Sequence, residues 1–206
     1  MKKVLLINGS PNREGCTYTA LKEIKDTLLT EGIESDIHWI GNKPISGCTA
    51  CKVCYTSECV FNDQVNELLA KIDEYAGIIV GSPVYYAGPS GQLCAFLDRF
   101  FYSSKGRLRF KVGASIVSCR RGGATAAFDR LNKYFTIAQM PLVSSKYWNQ
   151  VHGNTPEEVV QDEEGMQTMR VLARNMAWLI KCIDAGEKNN VPYPAPEKAK
   201  RTNFIR

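Results

Sequence analysis

The chain has 206 residues, of which 44% are hydrophobic, 10% aromatic and 23% charged. This suits one domain or at most two small ones, excludes a disordered, collagen-like or mucin-like chain, and allows about 70% of the unfolded surface to be buried without disulfide staples. The net charge is +5, and Lys188, Lys198, Lys200, Arg201 and Arg206 against Glu187 and Glu197 supply +3 of it. No basic groove interleaved with aromatics appears, so a nucleic-acid partner is not expected.

No apolar run approaches the roughly 18 residues of a membrane span. The run after Lys2-Lys3 stops at Asn8, too early for a signal peptide. A cytoplasmic protein with no membrane partner is expected, its eight cysteines reduced thiols.

Lys3 to Asn8 (KVLLIN) is a continuous apolar run, suited to a strand covered on both faces. Helical spacing follows over 17–31 through Leu21, Ile24 and Leu28, with Gly32 as its stop. Residues 35–40 alternate weakly, as an outer strand does. Residues 41–62 hold four cysteines and no period, too long for a plain connection. Helical spacing returns over 63–73, and 76–82 (AGIIVGS) is a third buried strand. Pro89 suits the first position of a helix striped by Leu93, Phe96, Leu97, Phe100 and Phe101. A strand at 111–118, a helix at 125–138 and a fifth strand at 141–148 follow. Thr155-Pro156-Glu157-Glu158 is a capping box. Gly165 is expected to interrupt what comes next, and Met166, Met169, Leu172, Met176, Leu179 and Ile183 stripe a last helix ending near Gly186.

Strand–helix alternation five times over predicts an α/β three-layer sandwich, its five-stranded parallel sheet in the order 2-1-3-4-5. One domain is expected over 1–186, with a Cys-rich insertion at 41–62, then a Pro-rich basic tail at 187–206. Such a tail frays unless tied down, and we expect it to dock on its own subunit or a neighbour. Ligands of such sheets sit beyond the carboxyl ends of the strands where the winding reverses.

Three loops fall there. GSPNREGCT, from Gly9, enters a helix whose N-terminal amides suit a phosphate, with donors from Ser10, Asn12 and Thr17 and charge from Arg13. It is neither GxxxxGK[ST] nor GxGxxG, which speaks against a nucleoside triphosphate or a dinucleotide pyrophosphate; a capped turn that binds nothing is the plain alternative. GSPVYYAGPSG, from Gly81, is stiffened by prolines and offers the flat faces of Tyr85 and Tyr86 to a planar heterocycle, unless these tyrosines simply pack the loop on the sheet. SCRRGG, from Ser118, can present Arg120, Arg121 and main-chain amides to an electron-rich ring edge, although arginines on a loop are usually just solvated. Convergence on one rim favours a ligand.

NGSPNREGCT, GSPVYYAGPSGQLCAFLDR and SCRRGG resemble the flavodoxin-like NAD(P)H-dependent FMN reductases, over about Lys2 to Gly153. The resemblance implies a flavodoxin-like sandwich with FMN phosphate at Ser10, Asn12, Cys16 and Thr17, to which Arg13 would add its charge. The isoalloxazine would lie against Pro83, Val84, Tyr85 and Tyr86, with Ser118, Arg121, Gly122 and Gly123 on its other edge; Arg120 or Arg121 near that edge would favour the reduced, anionic flavin. A homodimer or homotetramer closing the flavin site is implied as well.

Cys48-x2-Cys51-x2-Cys54-x4-Cys59 gathers half of the cysteines in one loop. Thiolates so closely spaced can wrap a 4Fe-4S cluster. Zinc, which usually takes two separated knuckles, and a free-thiol or redox-active loop are the other readings. The loop resembles that of the iron–sulfur flavoproteins, a branch of the same family. Cys94 and Cys182, on apolar helical stripes, are expected in the core. His38 is expected to be structural, and His152 to lie close enough to the rim to touch flavin or substrate.

The expected function is that of an FMN-dependent oxidoreductase. It would take electrons from NAD(P)H or a protein donor to a quinone, flavin or protein acceptor, with ferredoxin a candidate partner. Hydride transfer to a flavin needs stacking and exclusion of water and no acid–base residue, so no catalytic side chain is named. The competing classes are a non-enzymatic flavodoxin- or ferredoxin-like electron carrier and a phosphate-binding α/β module without flavin.

Overall fold

The computed structural model describes residues 3–200, 202 and 204; Met1, Lys2 and the tail's Arg201 and Arg206 lie outside them. Strands β1 (Lys3–Asn8), β2 (Glu34–Trp39), β3 (Tyr75–Tyr85), β5 (Val112–Cys119) and β6 (Gln150–His152) form a parallel sheet in the order β2-β1-β3-β5-β6. The short β4 (Gly88–Pro89) folds back antiparallel on the end of β3. With β4 set aside, this is the order the alternation predicts.

Helices α1 (Cys16–Thr30), α5 (Pro156–Gln161) and α6 (Glu163–Lys188) cover one face. Helices α2 (Gln64–Ala70), α3 (Gly91–Ser103) and α4 (Ala124–Ile137) cover the other. Strand β1 shows why the strands read as unbroken apolar runs. Leu5 and Ile7 enter the core under α2–α4, and Val4 and Leu6 the core under α1 and α6. Alternate residues thus fill both cores, each burial contributing roughly 1.5–3 kcal/mol. At the end of α1, Gly32 (φ +76) takes the left-handed conformation while the Ile33 N–H bonds Leu28 O at 2.9 Å, the stop its position suggests.

Several elements differ from the sequence reading. The fifth strand is Gln150–His152, and within 141–148 only Leu142 bridges the sheet, to Gly113. Side chains replace the ladder there: Ser145 Oγ donates to Tyr147 O, and Asn149 Nδ2 to Ser115 O. Pro89 lies in β4 and leaves the cap of α3 to Ser90, whose Oγ accepts from Leu93 N–H. Asp63 caps α2 from outside, and Ile72–Glu74 is a separate 3₁₀ turn.

Gly165 does not break α6. Its missing side chain lets the Asp162 carboxylate close on the first turn, where a Cβ would stand 2.3 Å from Asp162 Oδ2. Cys182 is exposed and Cys94 half-buried, because the outer edges of these stripes face solvent. The tail docks on its own subunit: Tyr193 stacks on Phe110 at 4.9 Å, and Arg109 Nη2 donates to Pro194 O. Among the described residues no helix is long and apolar enough to cross a membrane.

Candidate functional site

The three loops meet at the carboxyl ends of β1, β3 and β5, held by bonds from one to another. Gly9 N–H donates to Gly81 O at 2.9 Å, Ser90 Oγ to Gly9 O at 2.8 Å, and Ser90 N–H to Ser82 Oγ at 3.0 Å. Thr17 Oγ1 and Ser118 Oγ, both buried, share a 2.8 Å bond across the sheet end. Gly123 (φ +91) lies so near the second loop that a Cβ would stand 2.8 Å from Ala87 Cα. Only glycine permits both that backbone and that approach.

Asn8, fully buried, shapes the first loop. Its amide donates to Arg13 O and accepts from Ser10 N–H, while Ser10 Oγ accepts from Asn12 N–H. Trp39 Nε1 donates to Ser10 O, and the Arg13 guanidinium rests 5.7 Å over the Trp39 ring. The Cys16 thiol points to Gly153 O, and burial pushes its pKa up, so at neutral pH it is a protonated donor. The side chains of Ser10, Cys16 and Thr17 thus brace the loop, while those of Asn12 and Arg13 are exposed.

What the bracing leaves open is the start of α1. Gly15 caps it without a side chain, and no acidic residue stands in its first turn. Helix α4 begins the same way at Gly123. These two helix ends turn N–H groups without a side-chain cap toward the rim, which suits an anion, with Glu157 and Glu158 of α5 near enough to the start of α1 to act on Cys16.

The second loop is a hairpin. Val84 pairs with Pro89 and Tyr85 with Gly88, leaving Tyr86 (φ +50) and Ala87 (φ +58) at its tip. Left-handed backbone at non-glycine residues costs about 1–2 kcal/mol each; at this tip Tyr86 stands wholly in solvent and Tyr85 is about half exposed. Pro83 and Val84 are half-buried at its base. Arg120, Arg121 and Gly122 are exposed on the third loop, whose turn is fixed by the Cys119 thiol donating to Arg121 O. Burial, then Asp162, pushes that thiol up. Beside it on β6, the His152 ring is half-buried with Nδ1 3.5 Å from Asp162. His38 is tied by Nε2 to Gln64 Oε1 at 2.9 Å, a structural role.

The four loop cysteines line one small cavity together with Arg99, Phe61 and Tyr102. Cys48 and Cys51 are exposed, Cys54 is buried in a 3₁₀ turn (Val53–Tyr55), and Cys59 is half-buried. Ala50 (φ +54) and Lys52 (φ +63) bend the chain sharply on either side of Cys51. Asn66 holds Cys59 from both main-chain sides, accepting from its N–H and donating to its O. The donor set is all sulfur and shares one pocket, although in this conformation no group of three or more Cys, His, Asp or Glu among the described residues is drawn together around a metal-sized point.

Sequence reasoning missed Asn8, Trp39, Ser90 and Arg99. Asn8 closes an otherwise apolar strand, a signal of a buried polar role; Arg99 stands in the apolar phase of the α3 stripe, where an arginine is usually solvated.

A family model described as NADPH-dependent FMN reductase matches residues 2–155. An iron–sulfur flavoprotein of Methanocaldococcus jannaschii is 33% identical over 190 residues, covering 88% of this chain and 98% of that protein. One of Methanosarcina thermophila is 30% identical over 187 residues, covering 88% and 96%. Among solved structures, a flavodoxin from the domain Archaea superposes with a TM-score of 0.60 at 14% identity, covering 87% of this chain and 99% of that one.

Proposed function

We infer the function from one premise: the chain belongs to the NADPH-dependent FMN reductase family, near its iron–sulfur flavoprotein branch, and is an FMN-binding oxidoreductase. From that premise we propose that it takes electrons from NAD(P)H or a protein donor such as ferredoxin and delivers them to a quinone, flavin or protein acceptor. The observation that carries this reading is the rim, where two helices begin without side-chain caps and three loops are latched to one another.

Those features suit FMN. The open amides at the start of α1, with Asn12 and Arg13 beside them, would take the phosphate. Ser10, Cys16 and Thr17 act there as braces, through hydroxyls and a thiol already engaged with the protein. Pro83, Val84, Tyr85 and Tyr86 would lie along the ring system, with Ser118, Gly122 and Gly123 at its opposite edge. Arg120 and Arg121, next to the uncapped start of α4, favour negative charge at that edge. Bound FMN supplies a centre that accepts a hydride or single electrons. The protein orients the ring, keeps water from one face and balances charge, so the reading asks no acid–base step of the His152–Asp162 pair beside the third loop.

The Cys48–Cys59 loop is read as the seat of a 4Fe-4S cluster, supported by its four-thiol pocket and by the relatives' character. A homodimer or homotetramer in the cytoplasm completes the reading.

Titration of the apoprotein with FMN, followed by anaerobic steady-state assays with NADPH and NADH, tests it. Saturable return of the flavin absorbance and pyridine nucleotide oxidation are expected. No flavin uptake would overturn the site; uptake without oxidation would make the protein an electron carrier. Iron and sulfide analysis of anaerobically prepared protein tests the loop, and four free thiols without iron would remove the cluster.

A further inference from the structure

Arg99 is the largest fully buried side chain among the described residues, 1% exposed, and it stands on α3 facing the cysteine loop. Its guanidinium has five N–H groups, and five acceptors meet them. Nε donates to Cys59 Sγ at 3.3 Å, Nη1 to Asp63 Oδ2 at 2.7 Å and Ser46 O at 3.4 Å, and Nη2 to Asp63 Oδ1 at 2.8 Å and Phe61 O at 3.3 Å. The Phe61 ring lies 4.8 Å from its centre. One rigid fork therefore ties together the chain before Cys48, the sulfur of Cys59 and the cap of α2. Burial opposes the charge, but the bonds to Asp63 and Cys59 more than offset this, so Arg99 stays cationic.

We propose that Arg99 is the positioning residue of the four-cysteine loop: it holds both ends of the loop in register and keeps a charged N–H donor on the Cys59 sulfur. The inference rests on the cluster reading above. Hydrogen bonds and positive charge at a ligand sulfur raise the potential of an iron–sulfur centre, and outer-shell partners govern its retention. Lysine keeps the charge and can still reach Asp63, but it lacks the planar fork that engages Cys59, Asp63 and Phe61 at once.

The test compares the wild-type holoprotein with Arg99→Lys and Arg99→Gln, prepared anaerobically, by iron and sulfide content, FMN content and the midpoint potential of the iron-dependent signal. Both variants are expected to keep FMN, to lose iron affinity by roughly 10–100-fold and to show a more negative midpoint, Gln more so than Lys. Full iron with an unshifted midpoint in either variant would overturn the proposal. Loss of FMN in step with iron would overturn it as well, making Arg99 a general stability residue. Wild-type protein without iron would sink the cluster reading itself, an outcome the control reports separately.

Discussion

The helices begin in two ways. Helices α2, α3, α5 and α6 each start behind a side-chain cap, from Asp63, Ser90, Thr155 and Asp162. Helices α1 and α4 have neither a side-chain cap nor an acidic residue in the first turn. Both uncapped starts face the rim, where the loops after β1 and β5 converge. A missing cap forgoes about 0.5–2 kcal/mol of stability, so the fold leaves its orphan amides bare where an anion would satisfy them. The cysteine loop contrasts again: Arg99 and Asn66 hold its cysteine-bearing part from neighbouring helices, while Gln92, two residues after the latch at Ser90, holds only its start, through Gly41 O and Lys43 O.

If rim and loop are separately built, their defects should separate. Cys51→Ser is expected to abolish iron binding and leave FMN retention unchanged. Gly123→Ala, which drives a Cβ against Ala87 in a left-handed position, should cost about 1–3 kcal/mol at the rim. That would weaken FMN roughly ten- to hundredfold while iron content stays intact. Flavin titration and iron analysis of both variants check this, and parallel loss of both cofactors would break the separation.

The caps sharpen the contrast at smaller effect. Ser90→Ala removes a cap and the latch to Gly9, and should cost about 1–2 kcal/mol in urea unfolding and lower FMN affinity. Thr155→Ala should cost about 1 kcal/mol and leave FMN binding unchanged. Ala126→Glu, exposed in the first turn of α4, should have effects of opposite sign. The new carboxylate stabilises the apoprotein by about 0.3–1 kcal/mol, and FMN affinity falls by a similar increment. A rise in both would show that the α4 start does not meet negative charge.

The smallest effect lies at the far end of the sheet. Burial, then the bond to the Asp36 carboxylate, pushes the Tyr75 phenol up to about 12 from its usual 10. A raised value stabilises fully below the ordinary one, and the contribution disappears as pH rises from 10 to 12. Wild type minus Tyr75→Phe stability, measured across that range by urea unfolding, should decline with pH, with FMN affinity unaffected by the substitution.

The sheet was legible because β1, β3 and β5 are buried on both faces, and such strands can only be apolar runs. The fifth strand was misplaced since Ser145 and Asn149 satisfy the backbone through side chains, which no apolar period records. The loops were legible from their position after strands. Their latches were not: the Thr17–Ser118 bond joins residues 101 apart, and a hydroxyl that braces reads the same as one that binds. Arg99 escaped for a related reason, because a lone arginine in a stripe is ordinarily solvated and only its partners from the cysteine loop explain its burial.

The docked stretch around Tyr193 and Pro194 lies on Arg109 and Phe110, just before β5, whereas the rim lies after it. Eight residues of strand put roughly 25 Å of packed sheet between them. The tail is therefore a natural handle: fixed to an electrode or bead by that side, the molecule would present the rim outward, away from the tether.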